Sequence, residues 1–392
     1  MNMKKAGRLA RWIILMFFAG ACLDTYLPGI VLQDSGVLVV DGFLIGNDST
    51  RIKLSRTQTL DSEVTSVSEP GAHVEIQGAN GDKYVLIEEK AGLYVAPQLD
   101  LDLTQQYKLR IVTQHDQEYH SELVNMKVSP PLDSVTKTEL PEHDRIGFYL
   151  YTHDPNNKTQ FYYWTFDETW KFASMGYSVY YFENGQILPR KSASEIMECY
   201  RTQYNNNFYL GSTEGLAEDV VYHFPLMEIP QFSIKLYFGY SILVKQYALN
   251  KDAYAYYAIT KKNSENLGTL FDPVPAQPTS NLRCVSNPSN AVIGFFSATT
   301  VQKRRIFFSR QEITGPTIPY TVDENYSPTG YENCPEFLFP PDQMTAENLK
   351  GKLIGDKKFD RVTFELIGYT VAPEECLDCR FKGTTTPPDY WK

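Results

Sequence analysis

After residue 22 this sequence has no charge-free apolar run long enough to cross a bilayer, which takes about 20 residues as a helix. The body of the chain is therefore expected to contain no membrane helix. There is no Gly-rich loop ending in Gly-Lys-[Ser/Thr] to cradle phosphate, and no His-Glu-x-x-His helix to hold zinc. The stretch Gly211-Ser-Thr-Glu-Gly215 has its serine in the wrong place for a nucleophile elbow. No loop gathers a glycine and several oxygen ligands as calcium requires. All six histidines lie at or before His223. His115 and His120 are five apart in a polar stretch, a spacing with no preferred metal geometry, so they read as surface residues. Asp100 and Asp102 alternate with leucines and read as the wet side of a strand or turn. No basic stripe is present, which speaks against nucleic acid as a partner. These absences point away from an enzyme and from any metal or cofactor. An envelope hydrolase built on paired carboxylates stays open as an alternative, because their separation is a three-dimensional fact.

What is present begins with an address. Lys4, Lys5, Arg8 and Arg11 precede the apolar run Trp12–Phe18, and the small residues Ala19, Gly20 and Ala21 lead to Cys22. Charge, short apolar core and small-residue cleavage site are the order of a secretory signal. Ala19-Gly-Ala-Cys22 resembles a bacterial lipobox, although lipoboxes usually carry leucine where Ala19 stands. Residues 1–21 are expected to be a lipoprotein signal peptide, Cys22 the acylated (palmitate-bearing) residue, and 22–35 a tether. Two or more acyl chains give stable anchoring where one is marginal. The 37 Lys and Arg, less the four of the leader, against 47 Asp and Glu leave the mature chain a formal charge of −14.

Cysteine is absent between Cys22 and Cys199, and Cys199, Cys284, Cys334, Cys376 and Cys379 all lie in the second half. In an oxidising envelope such cysteines pair, and an odd number leaves one thiol over. Cys376-Leu-Asp-Cys379 invites a zinc or redox reading. Zinc needs a second close pair or paired histidines, and a redox pair normally opens a helix after a strand. Neither context is present, so structural disulfides are expected, with connectivity open.

The remaining pattern is mainly β. The 27 Tyr and 22 Phe, with abundant Thr, Val and Ile, favour strands. Val37–Ile45 and Arg51–Ser55 flank a turn. His73–Gln77 and Lys83–Ile87 flank Asn80-Gly81, a strong hairpin signal. Tyr107, Leu109 and Ile111 alternate with Lys108 and Arg110, as in a half-buried antiparallel strand. Residues 36–130 are expected to form an Ig-like β-sandwich, closed by Ser129-Pro130-Pro131 as a linker. Residues 131–381 form a larger β-rich domain with one main helix near 251–267. There Asn250 stands as N-cap, Tyr254, Tyr257, Ala258 and Lys261 form one stripe, and Gly268 stops the helix. Phe359–Thr370 reads as a last long strand, and 382–392 as a tail ending in Tyr390-Trp391.

Phe161-Tyr-Tyr-Trp-Thr-Phe166 is aromatic on both faces of a strand. A central strand buried on both sides explains it. A stacking platform for a sugar or aromatic ligand, using Tyr162, Trp164, Trp170 and Tyr181, is the alternative.

Several stretches together carry a family likeness: Val37-Leu-Val-Val-Asp-Gly-Phe43, Ile52-Lys-Leu-Ser-Arg56, Tyr240-Ser-Ile-Leu-Val-Lys-Gln-Tyr247, Gly268-Thr-Leu-Phe-Asp-Pro273, Asn281-Leu-Arg-Cys284, Val292-Ile-Gly-Phe-Phe296, and Cys376-Leu-Asp-Cys-Arg380 with the Pro-Asp-Tyr-Trp ending. The chain resembles a large family of Bacteroidota outer-membrane lipoproteins of unassigned function, typically encoded beside TonB-dependent receptors. The resemblance implies a non-enzymatic accessory or substrate-capturing partner of such a receptor, anchored on the periplasmic or cell-surface face of the outer membrane. A glycan-binding or adhesive surface module is the rival expectation. The resemblance carries over no catalytic residue.

Overall fold

A computed structural model of the chain describes residues 36–58, 66–192, 195–205, 207–231, 233–265, 278–309, 311–312 and 334–391. The leader, Cys22 and the tether lie outside the described residues, as does Gly268. The architecture is mainly β, with one main helix, as the sequence suggests.

Among the described residues nine strands come first: β1 (Leu38–Ile45), β2 (Thr50–Thr57), β3 (Ser66–Ser68), β4 (His73–Gly78), β5 (Lys83–Lys90), β6 (Leu93–Ala96), β7 (Gln106–Val112), β8 (Glu118–Ser121) and β9 (Val124–Lys127). In β7 the predicted alternation is seen: Tyr107, Leu109 and Ile111 are buried between half-exposed neighbours. The β4–β5 hairpin turns at the predicted site, where Gly81 takes φ +98° in open space. β5 pairs first with β4 and then with β6. A strand that passes from one sheet to the other in this way removes an exposed edge. The enclosed core is largely aliphatic: Leu38, Val40, Leu44, Ile52, Leu54, Val74, Ile76 and Leu109.

The next run holds β10 (Leu132–Leu140), β11 (Arg145–Asp154), β12 (Phe161–Ala173), β13 (Tyr180–Glu183), β14 (Gln186–Pro189), β15 (Glu198–Tyr204), β16 (Tyr209–Ser212), β17 (Asp219–Pro230) and β18 (Tyr240–Ala248). The sheet β10-β11-β17 faces the sheet formed by β15, β16, β12 and β18. Phe148, Leu150, Leu226 and Ile229 from the first meet Tyr162, Trp164, Phe166, Trp170 and Ile242 from the second. Helix α1 (Lys251–Glu265) covers part of the outer face of the larger sheet. Its N-terminus is capped as expected, the Asn250 carboxamide oxygen accepting the Ala253 N–H at 2.7 Å. Its most buried residues are Ala253, Tyr256 and Tyr257, a stripe offset from the one predicted, with Tyr254 only half-buried. The offset follows from what lies beneath the helix, Phe161, Tyr163 and Phe208, rather than from its own period.

The chain then returns. β19 (Leu282–Cys284) pairs with β8, while β20 (Val292–Gly294) and β21 (Ser297–Thr299) pair in parallel with β1. β21 also pairs with β9, which itself pairs with β7, so the first body is closed on both sides. β22 (Val301–Phe308) goes straight back to the second body beside β18. The expected division at residue 130 is thereby corrected, since residues 282–299 complete the first sandwich. A parallel partner must arrive by a long crossover, which no local pattern announces.

The last strands are β23 (Phe337–Phe339), β24 (Lys352–Phe359) and β25 (Leu366–Pro373), which form a third sheet with the β13–β14 hairpin. The single strand expected over Phe359–Thr370 is instead the end of β24, a tip and β25. The Asp360 carboxylate accepts the N–H groups of Val362 (2.7 Å) and Thr363 (2.8 Å), and Phe364 takes φ +58°. An Asx turn of this kind offers the backbone an alternative to the ladder. The apolar alternation Val362, Phe364, Leu366 concealed it.

Candidate functional site

The predicted cysteines separate cleanly. Cys199 bonds Cys379 and Cys334 bonds Cys376, while Cys284 is a buried free thiol. The two cysteines of the CxxC thus face different partners, one in the helical turn Glu374–Leu377 and one just after it. The bridges span 180 and 42 residues. Loop-closure entropy puts an upper bound of roughly 4–5 kcal/mol on the stabilisation from each. Together they hold the third sheet to β15 and close the C-terminal segment on itself.

The stacking residues are corrected. Tyr162 and Trp164 are completely buried and Trp170 is 4% exposed, so none can receive a ligand. β12 is hydrogen-bonded on both edges and covered on both faces, by the facing sheet on one side and by α1 and the first sandwich on the other. The Trp164 indole N–H donates to Gln246 (2.9 Å) and the Tyr162 hydroxyl to Asp219 (2.8 Å). Burial, then Asp219, pushes the Tyr162 phenol far above its ordinary range. Tyr181 is half-buried on the β13–β14 hairpin with the Arg190 guanidinium 5.8 Å from its ring centre, on a different sheet from the other three.

Buried carboxylates are saturated rather than poised. Asp219 accepts from the Gln160 N–H (2.9 Å), the Tyr162 hydroxyl and the Thr213 hydroxyl (2.6 Å). Asp154 accepts the Asn156 and Lys158 N–H groups at 2.9 and 3.0 Å and the Thr159 hydroxyl at 2.9 Å. Burial pushes the Asp154 carboxyl up, but these donors outweigh it and hold it below the ordinary carboxylate value. Glu168 accepts from Tyr240 and Lys235, each at 2.8 Å. Such networks order loops and leave no free base. His115 is exposed, whereas His120 is bound to Glu118 at 2.8 Å, so the two do not converge. Among the described residues no group of three His, Cys, Asp or Glu could hold a metal ion.

Between the sandwiches Phe43 of β1 stacks on Tyr247 (5.4 Å) and meets Tyr163 edge-on (5.2 Å). Asn47 makes two hydrogen bonds to the backbone of Val301, at 2.8 and 2.9 Å. Two half-open clefts flank this junction. One, about 530 Å³, is lined by Met126, Pro130, Pro131, Asn156 and Lys158, and the other, about 300 Å³, by Phe43, Arg51, Lys245 and Lys303. In the second every cation has an acid: Arg51 with Glu89, Lys245 with Asp167, Lys303 with Asp48.

Two surfaces stand out among the described residues, and neither is legible in the sequence. The first is the β24–β25 hairpin, where Val362 is 85% and Phe364 79% exposed, with Phe359, Ile367, Phe337 and Leu338 also open. β12 leaves the junction at Phe161, and past its other end Met175 donates its N–H to the Cys376 carbonyl, in the helical turn that follows β25 (3.0 Å). The thirteen residues of β12 alone extend about 40 Å. The second surface is the outer face of β10-β11-β17, where Tyr149 lies against His223 with ring centres 3.8 Å apart and nearly parallel, and Tyr151 meets Tyr222 at 5.1 Å.

The family model for a domain of unknown function, DUF4249, matches residues 24–305. The chain belongs to this family. The DUF4249 match covers the first sandwich, most of the second, and the returning strands that complete the first. No curated protein matches the chain. Among solved structures, a segment of two fibronectin type III domains from chicken tenascin is similar over 56% of this chain and 92% of that one, at 9% identity and a TM-score of 0.17, a superposition too loose to carry an argument.

Proposed function

We propose that this DUF4249 protein is a non-enzymatic outer-membrane lipoprotein, held by acylated Cys22, that serves as an accessory or substrate-capturing partner of a TonB-dependent receptor. The observation that carries the reading is the exposed apolar β24–β25 hairpin. Apolar side chains as open as Val362 and Phe364, clustered on one element, mark an interaction surface. Fourteen tether residues reach at most about 50 Å. Confinement by the lipid raises the effective concentration of any neighbouring membrane protein, so a modest interface suffices. The saturation of Asp154, Asp219 and Glu168 favours binding over bond-making.

The test is purification of the tagged protein from solubilised outer membrane. A receptor barrel is expected to come down with it, and Val362→Asp with Phe364→Asp should release the barrel while the protein stays folded. Cys22→Ser should move the protein out of the membrane fraction. A protein that always purifies alone, or a Cys22→Ser variant that still fractionates with membrane, would sink the reading.

A further inference from the structure

We infer that the outer face of the β10-β11-β17 sheet is a saccharide-binding site formed by Tyr149, Tyr151, Tyr222 and His223. The β11–β17 ladder is irregular. Leu150 pairs with Phe224 and Thr152 with Val221, so the single residue Tyr151 stands opposite two, Tyr222 and His223. That two-against-one count is a β-bulge, a device that re-aims side chains. In a regular strand one of two successive residues would turn into the core. Here Val221 and Phe224 pack inward, and both Tyr222 and His223 are exposed. His223 takes φ +54° to do so, a left-handed conformation unfavourable for a residue with a Cβ. Strain of this kind persists where the surroundings enforce it, and it clusters at binding sites.

The neighbouring strand is shaped to match. Tyr149 leans over Gly147, where a Cβ would fall 2.7 Å from its hydroxyl and 2.8 Å from a ring carbon, so only glycine leaves that ring its place. The result is four rings in one cluster: Tyr149 parallel to His223, Tyr151 edge-on to His223 at 5.9 Å, and Tyr222 beside them, 79% exposed. Core packing does not account for the cluster, because the inner face of the same strands carries Phe148, Leu150 and Thr152.

The ligand class follows from the chemistry. Tyr222 and His223 are exposed, with Tyr149 and Tyr151 half-buried behind them, and such a ring surface suits a flat partner with an apolar face and a polar rim, which describes a pyranose ring. Charges bracket the rings but are matched: Arg145 with Glu228 at 2.8 Å at one end of the face, His153 with Asp133 at 2.7 Å at the other. Arg145 and Glu228 cancel one another, and all four groups offer hydrogen-bond partners for hydroxyls. The inference gives the substrate-capturing role a ligand class, and in that respect rests on the function proposed above. The binding chemistry itself is tested without a receptor.

The test is calorimetry of the full-length, detergent-solubilised protein with four neutral probes: maltohexaose, cellohexaose, mannohexaose and xylohexaose. At least one is expected to bind, and Tyr222→Ala to weaken it about tenfold, as loss of one stacked ring does. Phe364→Ser should leave that affinity unchanged, and circular dichroism should show both variants folded. Absence of binding by all four probes at about 1 mM overturns the inference. So does binding that survives Tyr222→Ala combined with His223→Ala, or binding of a tetra-arginine peptide in place of the sugars, which would make the face a cation–π site. Receptor co-purification retained in Tyr222→Ala, with sugar binding lost, separates the two proposals. Sugar binding in a protein that never captures a receptor would refute the accessory role alone.

Discussion

The two sandwiches solve the same burial problem with different side chains. The first fills most of its interior with Leu, Ile and Val on short strands, with Tyr94, Tyr107 and Tyr119 among them, and closes its edges. The second uses Tyr162, Trp164, Phe166, Trp170, Phe172 and Tyr240, and keeps charged groups inside it. Aliphatic chains carry no polar atoms, so in the first core it is mainly the tyrosines that need partners: the Tyr94 and Tyr107 hydroxyls donate to the backbone carbonyls of Glu69 (2.9 Å) and Asp102 (3.0 Å), and Tyr119 donates to Gln117 (2.9 Å). Tyr and Trp each bring a polar handle that must be satisfied once buried, hence Gln246 for Trp164, Asp219 for Tyr162 and Glu168 for Tyr240. The aromatic core is therefore tied to specific acceptors, whereas the aliphatic one depends mainly on volume.

The comparison is broken most directly by truncating one large side chain in each body. Trp164→Ala should destabilise by about 4 kcal/mol, plus the stranding of the buried Gln246 carboxamide. Leu109→Ala in the first sandwich should cost about 3 kcal/mol from volume alone. Denaturant unfolding measures both, and equal values would remove the distinction. Next in size is the Cys199–Cys379 bridge: Cys199→Ser should cost about 2–4 kcal/mol, with the loss in the unfolding of the second body.

A smaller effect sharpens the polar side of the comparison. Asp154→Asn should cost about 1–3 kcal/mol by weakening acceptance from three donors. The carboxyl of Asp154 is held below its unfolded value of 3.8, so its contribution is present above that pH and is lost as pH falls through the depressed folded value. The difference in melting temperature between wild type and Asp154→Asn should therefore shrink below about pH 4. A difference that is constant with pH would show that the charge is irrelevant. Smallest of all, Val362→Asp should alter stability by less than about 0.5 kcal/mol even where it disrupts binding. Thiol labelling in denaturant without reductant should find one reactive thiol in the described body, Cys284, and labelling of the folded protein none; five would contradict both bridges.

Much of the first sandwich was legible because its strands are buried on one face. Period-two alternation in Tyr107–Ile111 states directly which side chains face inward, and Asn80-Gly81 marks a turn. The second body was harder to read because β12, buried on both faces, has no alternation to reveal which face is wet. The same pattern serves a core or a platform, and only the neighbours decide. The exposed rings were missed for the opposite reason. Nothing in Tyr222-His223 distinguishes a bulge from a regular strand, and Tyr149 and Tyr151 look like ordinary strand residues.

Local chemistry alone determined the mainly β architecture, the hairpins, the helix with its Asn250 cap and the odd cysteine left unpaired, because each depends on residues close in sequence. Tertiary structure decided which cysteines pair, that residues 282–299 complete a sandwich begun at residue 38, and that the rings on β12 are hidden while those on β17 are open and those on β11 half-buried. Those outcomes depend on which strand lies beside which, and parallel pairing, a two-against-one register and burial on both faces arise between segments more than a hundred residues apart or from a slip of a single position.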